Sequence, residues 1–408
     1  MIESPSRPAD PERLRVCLVS PYDFAVPGGV GAHISNLARI FRRRGHFVKI
    51  MAPSSAPVGN LDTPGVVGIS RTIVPVRSNG SIARLALSPR MRPAIERELA
   101  EDGGFDVVHI HEPMAPVLPL QVLRLSSAIN IGTFHATRKT STVYRAYKPL
   151  LEGFHRRLDG KIAVSVAARD FVWRAFPGEY RIIPNGIDPE WFGTPAEPIA
   201  EMAGSRPAIM FLGRMEKRKG LPLLLDAMAT VRRLRPDARL VVVGAYDQGQ
   251  LQRARRRLQR AGIQDTIFTG RVSEDEKRAY LQSADILVAP AQGSARESQG
   301  IVLMEGMAAG TPVVASDIPG YRTVSPDGSA VLYCAPDDKR ALARGILRLL
   351  QHPGTADRFR RAGRQRVNDF SWEVVATRVY DYYVELLRAR SRIQSEDLGP
   401  TAGRAIGN

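Results

Sequence analysis

Arg296-Glu297-Ser298-Gln299-Gly300-Ile301-Val302-Leu303-Met304-Glu305-Gly306-Met307-Ala308-Ala309-Gly310 stands between two short apolar runs, Ile286 to Pro290 and Pro312 to Ser316. Apolar run, helical pattern and apolar run in succession are what buried parallel strands joined by helices look like in sequence. Glu297 and Glu305 are eight positions apart, near two helical turns. With a helix beginning around Ser298, Glu305 projects on the same side as the loop holding Glu297. The free backbone N–H groups of Gln299, Gly300 and Ile301 then lie between the carboxylates, at the positive end of the helix, where a phosphate or a ring of hydroxyls can bind. Taken alone, the segment also fits an ordinary amphipathic helix capped by Ser298 with two solvated glutamates.

Working outward, the same alternation continues. Strand patterns occur at Arg15 to Ser20, Phe47 to Ala52, Asp106 to His111, Asn130 to Phe134 and Lys161 to Val164. They resume at Ala208 to Gly213, Arg239 to Gly244, Thr266 to Arg271 and Ala330 to Cys334, with amphipathic helices between most of them. The pattern predicts an α/β protein of two Rossmann-like, doubly wound domains. They are expected at residues 13–195 and 205–370, with the Pro- and Gly-bearing stretch from Gly193 to Pro207 as linker. A helix over 371–390 and a disordered tail over 391–408 follow.

The chain of 408 residues is 44% hydrophobic and 24% charged, as soluble globular proteins are, and too long for one core. Its two cysteines, Cys17 and Cys334, each lie in a strand pattern, which argues against a disulfide framework and for a reducing cytoplasm. Met1 to Glu12 has no apolar signal core, and no run approaches the roughly 18 apolar residues that span a bilayer, so membrane contact is expected to be peripheral. The net charge of +17 calls for an anionic partner. Phe359 is the only aromatic within the arginine-rich runs Arg253 to Arg260 and Arg358 to Arg366, a poor basis for stacking on nucleic acid. Anionic lipid or a phosphorylated substrate suits the charge better, and a solvated basic face remains open for the Arg253 run.

In open α/β sheets ligands bind outside the carboxyl ends of the strands. Four loops there are unusual. Pro21 to His33 contains Gly28-Gly29, whose backbone N–H groups can approach a diphosphate without a Cβ in the way. His135 closes Ile131-Gly132-Thr133-Phe134-His135. Arg214 and Lys219, five residues apart in Phe211 to Gly220, can clamp two phosphates from one side. Glu297 to Glu305 is the fourth, and a cleft between the domains is where the four could converge.

Together with Pro184-Asn185-Gly186-Ile187-Asp188, this set resembles retaining glycosyltransferases of family four, which have the GT-B fold, over about residues 13 to 390. Within that group the first half is similar to bacterial phosphatidylinositol mannosyltransferases at Ser20 to Val30, Asn79 to Leu85 and His109 to Pro116. The resemblance implies a C-terminal helix that packs back toward the first domain. It also implies hexosyl transfer, with mannose from GDP-mannose expected, to a membrane-associated phosphatidylinositol-type or polyol acceptor. Arg214 and Lys219 would stabilise the departing phosphate, and Gly28 and Gly29 would add donors from the opposite wall. Glu297 would accept from sugar hydroxyls and Glu305 from ribose hydroxyls. Ser298, Gln299, Gly300 and Ile301 would line the sugar site, Val272 and Lys277 would sit near the base, and His135 near the reacting carbon. Retention would follow front-face attack, with no protein nucleophile. No Asp-x-Asp occurs, so cations would replace a metal, and neither metal nor other cofactor is expected.

By the same resemblance, Tyr22 and Arg84 would face the lipid headgroup, and a basic helix would dock the enzyme on the inner face of the plasma membrane. The corresponding segment here, Ser88 to Glu101, sets three arginines against three glutamates, which weakens its expected attraction to anionic lipid. Gln299 stands where the family has phenylalanine in Glu-Ser-Phe-Gly, which opens the donor preference. The alternatives are another donor, such as UDP-glucose or UDP-N-acetylglucosamine, on a different acceptor; epimerisation; and a nonenzymatic basic protein binding nucleic acid or a surface.

Overall fold

The computed structural model describes residues 12–78, 81–137, 146–293 and 297–397. Asn79, Gly80, Arg296 and the tail beyond 397 lie outside the described residues. Two parallel sheets organise the chain. The first holds β1 (Arg15–Val19), β2 (Phe47–Ala52), β3 (Val66–Gly68), β6 (Val107–His111), β7 (Ile129–Phe134), β8 (Gly160–Ala163) and β9 (Arg181–Ile182), in the order β3-β2-β1-β6-β7-β8-β9. An antiparallel hairpin, β4 (Val74–Ser78) and β5 (Ser81–Leu85), interrupts the alternation between β3 and β6. The second sheet holds β10 (Ala208–Leu212), β11 (Arg239–Val243), β12 (Thr266–Gly270), β13 (Ile286–Ala289), β14 (Val313–Ser316) and β15 (Leu332–Cys334), in the order β12-β11-β10-β13-β14-β15.

Central strands are buried on both faces, which is why they read as continuous apolar runs: Leu18, Val108, Val241 and Leu287 are all fully buried. In each sheet the strand order reverses beside the first strand, between β1 and β6 and between β10 and β13. Loops diverge at such a switch point and leave a crevice. Gly28-Gly29 follows β1, the Arg214 to Gly220 loop follows β10, and Glu297 follows β13.

The chain crosses between sheets earlier than composition suggests. Ile187, Phe192 and Met202 already pack in a core around the second sheet, so Gly193 to Pro207 lies against that core. The crossing is Pro184 to Asp188, and the return strand lies beside it. Ile187 N–H donates to Phe370 O (2.8 Å), and Trp372 N–H donates to Ile187 O (3.0 Å). From there the helix Trp372–Asp397 packs Val375, Ala376, Val379 and Tyr383 against β1 and the helix Gly29–Arg43. It continues past Arg390, so 391–397 is helical and not a disordered tail. No proline or glycine interrupts it before Gly399-Pro400. No helix among the described residues is long and apolar enough to cross a membrane.

Candidate active site

The two loops at the second switch point are pressed together by a glycine. Gly220 has φ +76°, and a Cβ there would stand 1.7 Å from the Pro290 carbonyl oxygen, so no other residue fits. Gln292 N–H donates to Arg218 O (3.1 Å) across the same contact. Glu297 is thereby delivered to the β10 loop, where Lys219 Nζ meets Oε2 at 2.9 Å and Arg218 takes Oε1. Glu216 in turn binds Arg218 (2.7 Å) and Arg214 (3.0 Å). Arg214, at 54% exposure, stands at the rim of this network, while Arg218 occupies its centre. The five-residue spacing pairs Arg214 with Lys219, but on the Glu297 carboxylate the partner of Lys219 is Arg218. A single 3-10 turn over Lys217–Lys219 turns Arg218 and Lys219 together onto the carboxylate.

The helix after Glu297 starts later than expected. It spans Ile301–Ala309, with Gly300 at its N-cap in the left-handed region (φ +80°), and Ser298 does not cap it. The Gln299 side chain turns away from the cleft and is buried against Asn185, so the backbone reverses at Gly300 before the helix can begin. The leading amides are consequently those of Ile301 and Val302. Glu305, on the second turn, is reached by Lys277 Nζ at 2.8 Å. Burial pushes its carboxyl pKa up, and Lys277 and Lys219 oppose the shift, so Lys219 acts on both glutamates. Burial works against the Lys277 charge, but Glu305 and Glu274 outweigh it and its pKa is raised. The Lys277 ammonium also lies 5.5 Å from the centre of the Phe192 ring. Val272 is half-buried against the same core.

Opposite, Gly28 caps the helix Gly29–Arg43 in extended conformation, and a Cβ on Gly29 would meet nothing within 4 Å. The space before that helix is open, and amides at its start face it. Tyr22 forms an isolated bridge with Leu85, and Asp23 N–H donates to Arg84 O (2.9 Å), so the hairpin brings Tyr22 and Arg84 together. His135 is pinned by its neighbour strand: Glu112 Oε1 accepts from the His135 and Ala136 N–H groups, each at 2.7 Å. His135 Nε2 meets His111 Nδ1 at 2.9 Å, and the His33 ring stands edge-on to the His135 ring with centroids 4.9 Å apart. Burial lowers all three imidazole pKa values, His135 to about 4, which keeps them neutral near pH 7. Each offers a ring nitrogen within 4.8 Å of the others, the one group among the described residues with spacing that could hold a metal ion. Thr137 Oγ1 lies 3.5 Å from Ser298 Oγ, which joins the two walls.

Residues 27–191 match the family described as Glycosyltransferase Family 4, and residues 197–366 match Glycosyl transferases group 1. The chain belongs to glycosyltransferase family 4. This glycosyltransferase is 37% identical to a phosphatidyl-myo-inositol mannosyltransferase of Mycobacterium leprae over 383 residues, 93% of this chain and 99% of the relative. It is 36% identical to one from Mycobacterium tuberculosis over 386 residues, again 93% and 99%. Two solved structures share the fold. Sucrose-phosphate synthase from Thermosynechococcus elongatus has a TM-score of 0.69 at 22% identity, covering 92% of this chain and 100% of its own. Anabaena HepE in complex with UDP and glucose has a TM-score of 0.72 at 16% identity, covering 91% and 100%.

In this glycosyltransferase the fold gathers Glu297, Lys219, Glu305 and Lys277 into one charged network, and Ser298 touches the His135 wall through Thr137. Tyr22 and Arg84 are adjacent through their backbones. Gln299 is the exception: its side chain does not face the cleft. Arg218, Glu216, Glu112, His33 and His111 were not singled out as site residues. Glu112, His33 and His111 have partners far away in sequence, as Arg218 has in Glu297, while Glu216 sits two positions from each of its arginines; only the repeated histidines of His109-Ile110-His111 hinted at a role.

Proposed function

We propose that the enzyme transfers a mannosyl group from GDP-mannose, with retention and without a metal, to a phosphatidylinositol-type lipid at the inner membrane surface. One observation carries the reading: relatives named phosphatidyl-myo-inositol mannosyltransferase align over nearly their whole length at 33–37% identity. The site chemistry supports it. Arg218 and Lys219 supply positive charge where a departing diphosphate gathers negative charge, and a preorganised cation is worth most in the transition state. Glu297 and Glu305 accept hydrogen bonds from sugar and ribose hydroxyls. A neutral His135 can donate a hydrogen bond beside the reacting carbon. The leaving phosphate accepts the proton of the acceptor hydroxyl, since no carboxylate is assigned as nucleophile.

The test is incubation of purified protein with labelled GDP-mannose and phosphatidylinositol vesicles. Label enters lipid as the α-anomer, and EDTA leaves the rate unchanged. Consumption of UDP-glucose with no label in lipid would overturn the donor and acceptor. Loss of activity in EDTA restored by a divalent ion would overturn metal independence and direct attention to the three histidines.

A further inference from the structure

The crossing between the sheets carries an amide pair that the donor reading leaves unused. Gln299 is buried to 2% exposure. Its Oε1 accepts from the Asn185 backbone N–H at 2.6 Å and from Asn185 Nδ2 at 2.9 Å, and its Nε2 donates to the Asn185 carbonyl oxygen at 3.3 Å. A primary amide whose Nδ2 is held on one side presents its Oδ1 on the other. The next residue, Gly186, packs directly on Trp372, where a Cβ would come within 2.4 Å of the indole. The Trp372 ring stands edge-on to His33, with centroids 5.2 Å apart. Asn185 is thus fixed by Gln299 on one side and by the two crossing strands on the other.

We propose that Gln299 is a positioning residue: it holds Asn185 against the loop carrying Glu297 and, through Gly186 and Trp372, ties that loop to His33 in the histidine wall. A phenylalanine in the same place has no atom to accept from Asn185, so the amide would be free to rotate. In this chain, displacement of the Glu297 to Gly300 loop moves Gln299, and with it Asn185 and the crossing that packs on Trp372. The catalytic consequence rests on the transfer reaction proposed above; the orienting role does not.

The experiment uses full-length protein labelled with 15N in its histidines. Gln299→Leu preserves volume and removes every hydrogen bond to Asn185. It should move the ring signals of His33 and His135 while leaving those of His155, which is bonded to Tyr180 in another part of the first domain. Gln299→Glu keeps the acceptor oxygen but loses the donor to the Asn185 carbonyl oxygen, so it should move the same signals by less. In the transfer assay Gln299→Leu should lower kcat about tenfold with donor KM within about twofold, and Asn185→Ala, which keeps both backbone bonds to Gln299, should cost less. The double variant should lose no more than Gln299→Leu alone, because that substitution already removes the one bond made by the Asn185 side chain to Gln299. Unmoved His33 and His135 signals in Gln299→Leu, or losses that add in the double variant, would overturn the proposal. Should Gln299→Leu fail to fold, Asn185→Ala carries the same spectral readout with Gln299 in place. Shifted signals in a protein with no transfer activity would overturn the proposed reaction and leave the latch standing.

Discussion

Lys219 and Glu297, 78 residues apart in sequence, meet at 2.9 Å at the switch point of the second sheet, with side-chain exposures of 22% and 10%. The group assigned to the leaving phosphate is already bound to the group assigned to the sugar. Without donor, each neutralises the other, and with donor the lysine can turn to a phosphate while the carboxylate turns to hydroxyls. The exchange needs little movement, because both partners are anchored on loops that Gly220 presses together.

Glu297→Ala is expected to lower kcat/KM by about 10² to 10³. Arg218→Ala frees one side of the carboxylate and should cost about tenfold. Arg214→Ala, at the exposed rim, should cost less than Arg218→Ala. Steady-state rates with purified variants decide the ranking; a larger loss at Arg214 than at Arg218 would reverse the assignment of the phosphate clamp.

Donor binding should weaken as pH falls, with a midpoint above the ordinary carboxylate range, because burial raises the Glu305 pKa and its protonation removes a hydroxyl acceptor. Stability runs the other way for this group. A folded-state pKa above the unfolded value favours the fold at acid pH, and that contribution is lost as pH rises through the folded value. Calorimetric titration with nucleotide across pH checks the midpoint, and Glu305→Gln should abolish that limb.

Tyr383→Phe should destabilise the protein by about 1–3 kcal/mol. The Tyr383 hydroxyl meets His109 Nδ1 at 2.6 Å in a fully buried contact between the C-terminal helix and β6. Removing it leaves a buried imidazole nitrogen unpaired. Urea denaturation measures the loss, and an unchanged midpoint would show that the helix is held by apolar packing alone.

Association with anionic vesicles should fall when Arg90 and Arg97 are both changed to glutamate, each of the two losses worth about 1 kcal/mol. The sequence count of three arginines against three glutamates in Ser88 to Glu101 understates the positive surface. Glu98 is buried against Lys49 at 3.0 Å and also binds Arg97 at 3.0 Å, and Glu101 pairs with the same lysine, while the Arg97 side chain stays 73% exposed. Vesicle sedimentation at low and high salt tests this, and equal binding by native and variant protein would sink it.

Period and composition carried much of this protein. The helix Arg92–Ala100 has Pro93 in its first turn, where proline is tolerated, and the loops after β10 and β13 were recognisable because their charges follow buried runs. The β4-β5 hairpin and the two-residue strand β9 were not, since short edge elements show little periodicity. The helix start at Ile301 was misplaced because Ser298 has the chemistry of a cap. What excluded it is the pull of Asn185 on Gln299, a contact between residues 114 positions apart.

The sequence by itself determined the two doubly wound sheets, the loops that bear chemistry and the side chains available there, because strand burial and helix period are local and leave a local pattern. Tertiary structure alone decided which cation meets which carboxylate, that Arg218 and not Arg214 lies at the centre of that network, and that the Gln299 side chain faces Asn185. Those outcomes depend on strand order at the switch points and on two crossing strands that pair at Ile187. Such contacts are fixed only when distant segments pack, and no local period records them.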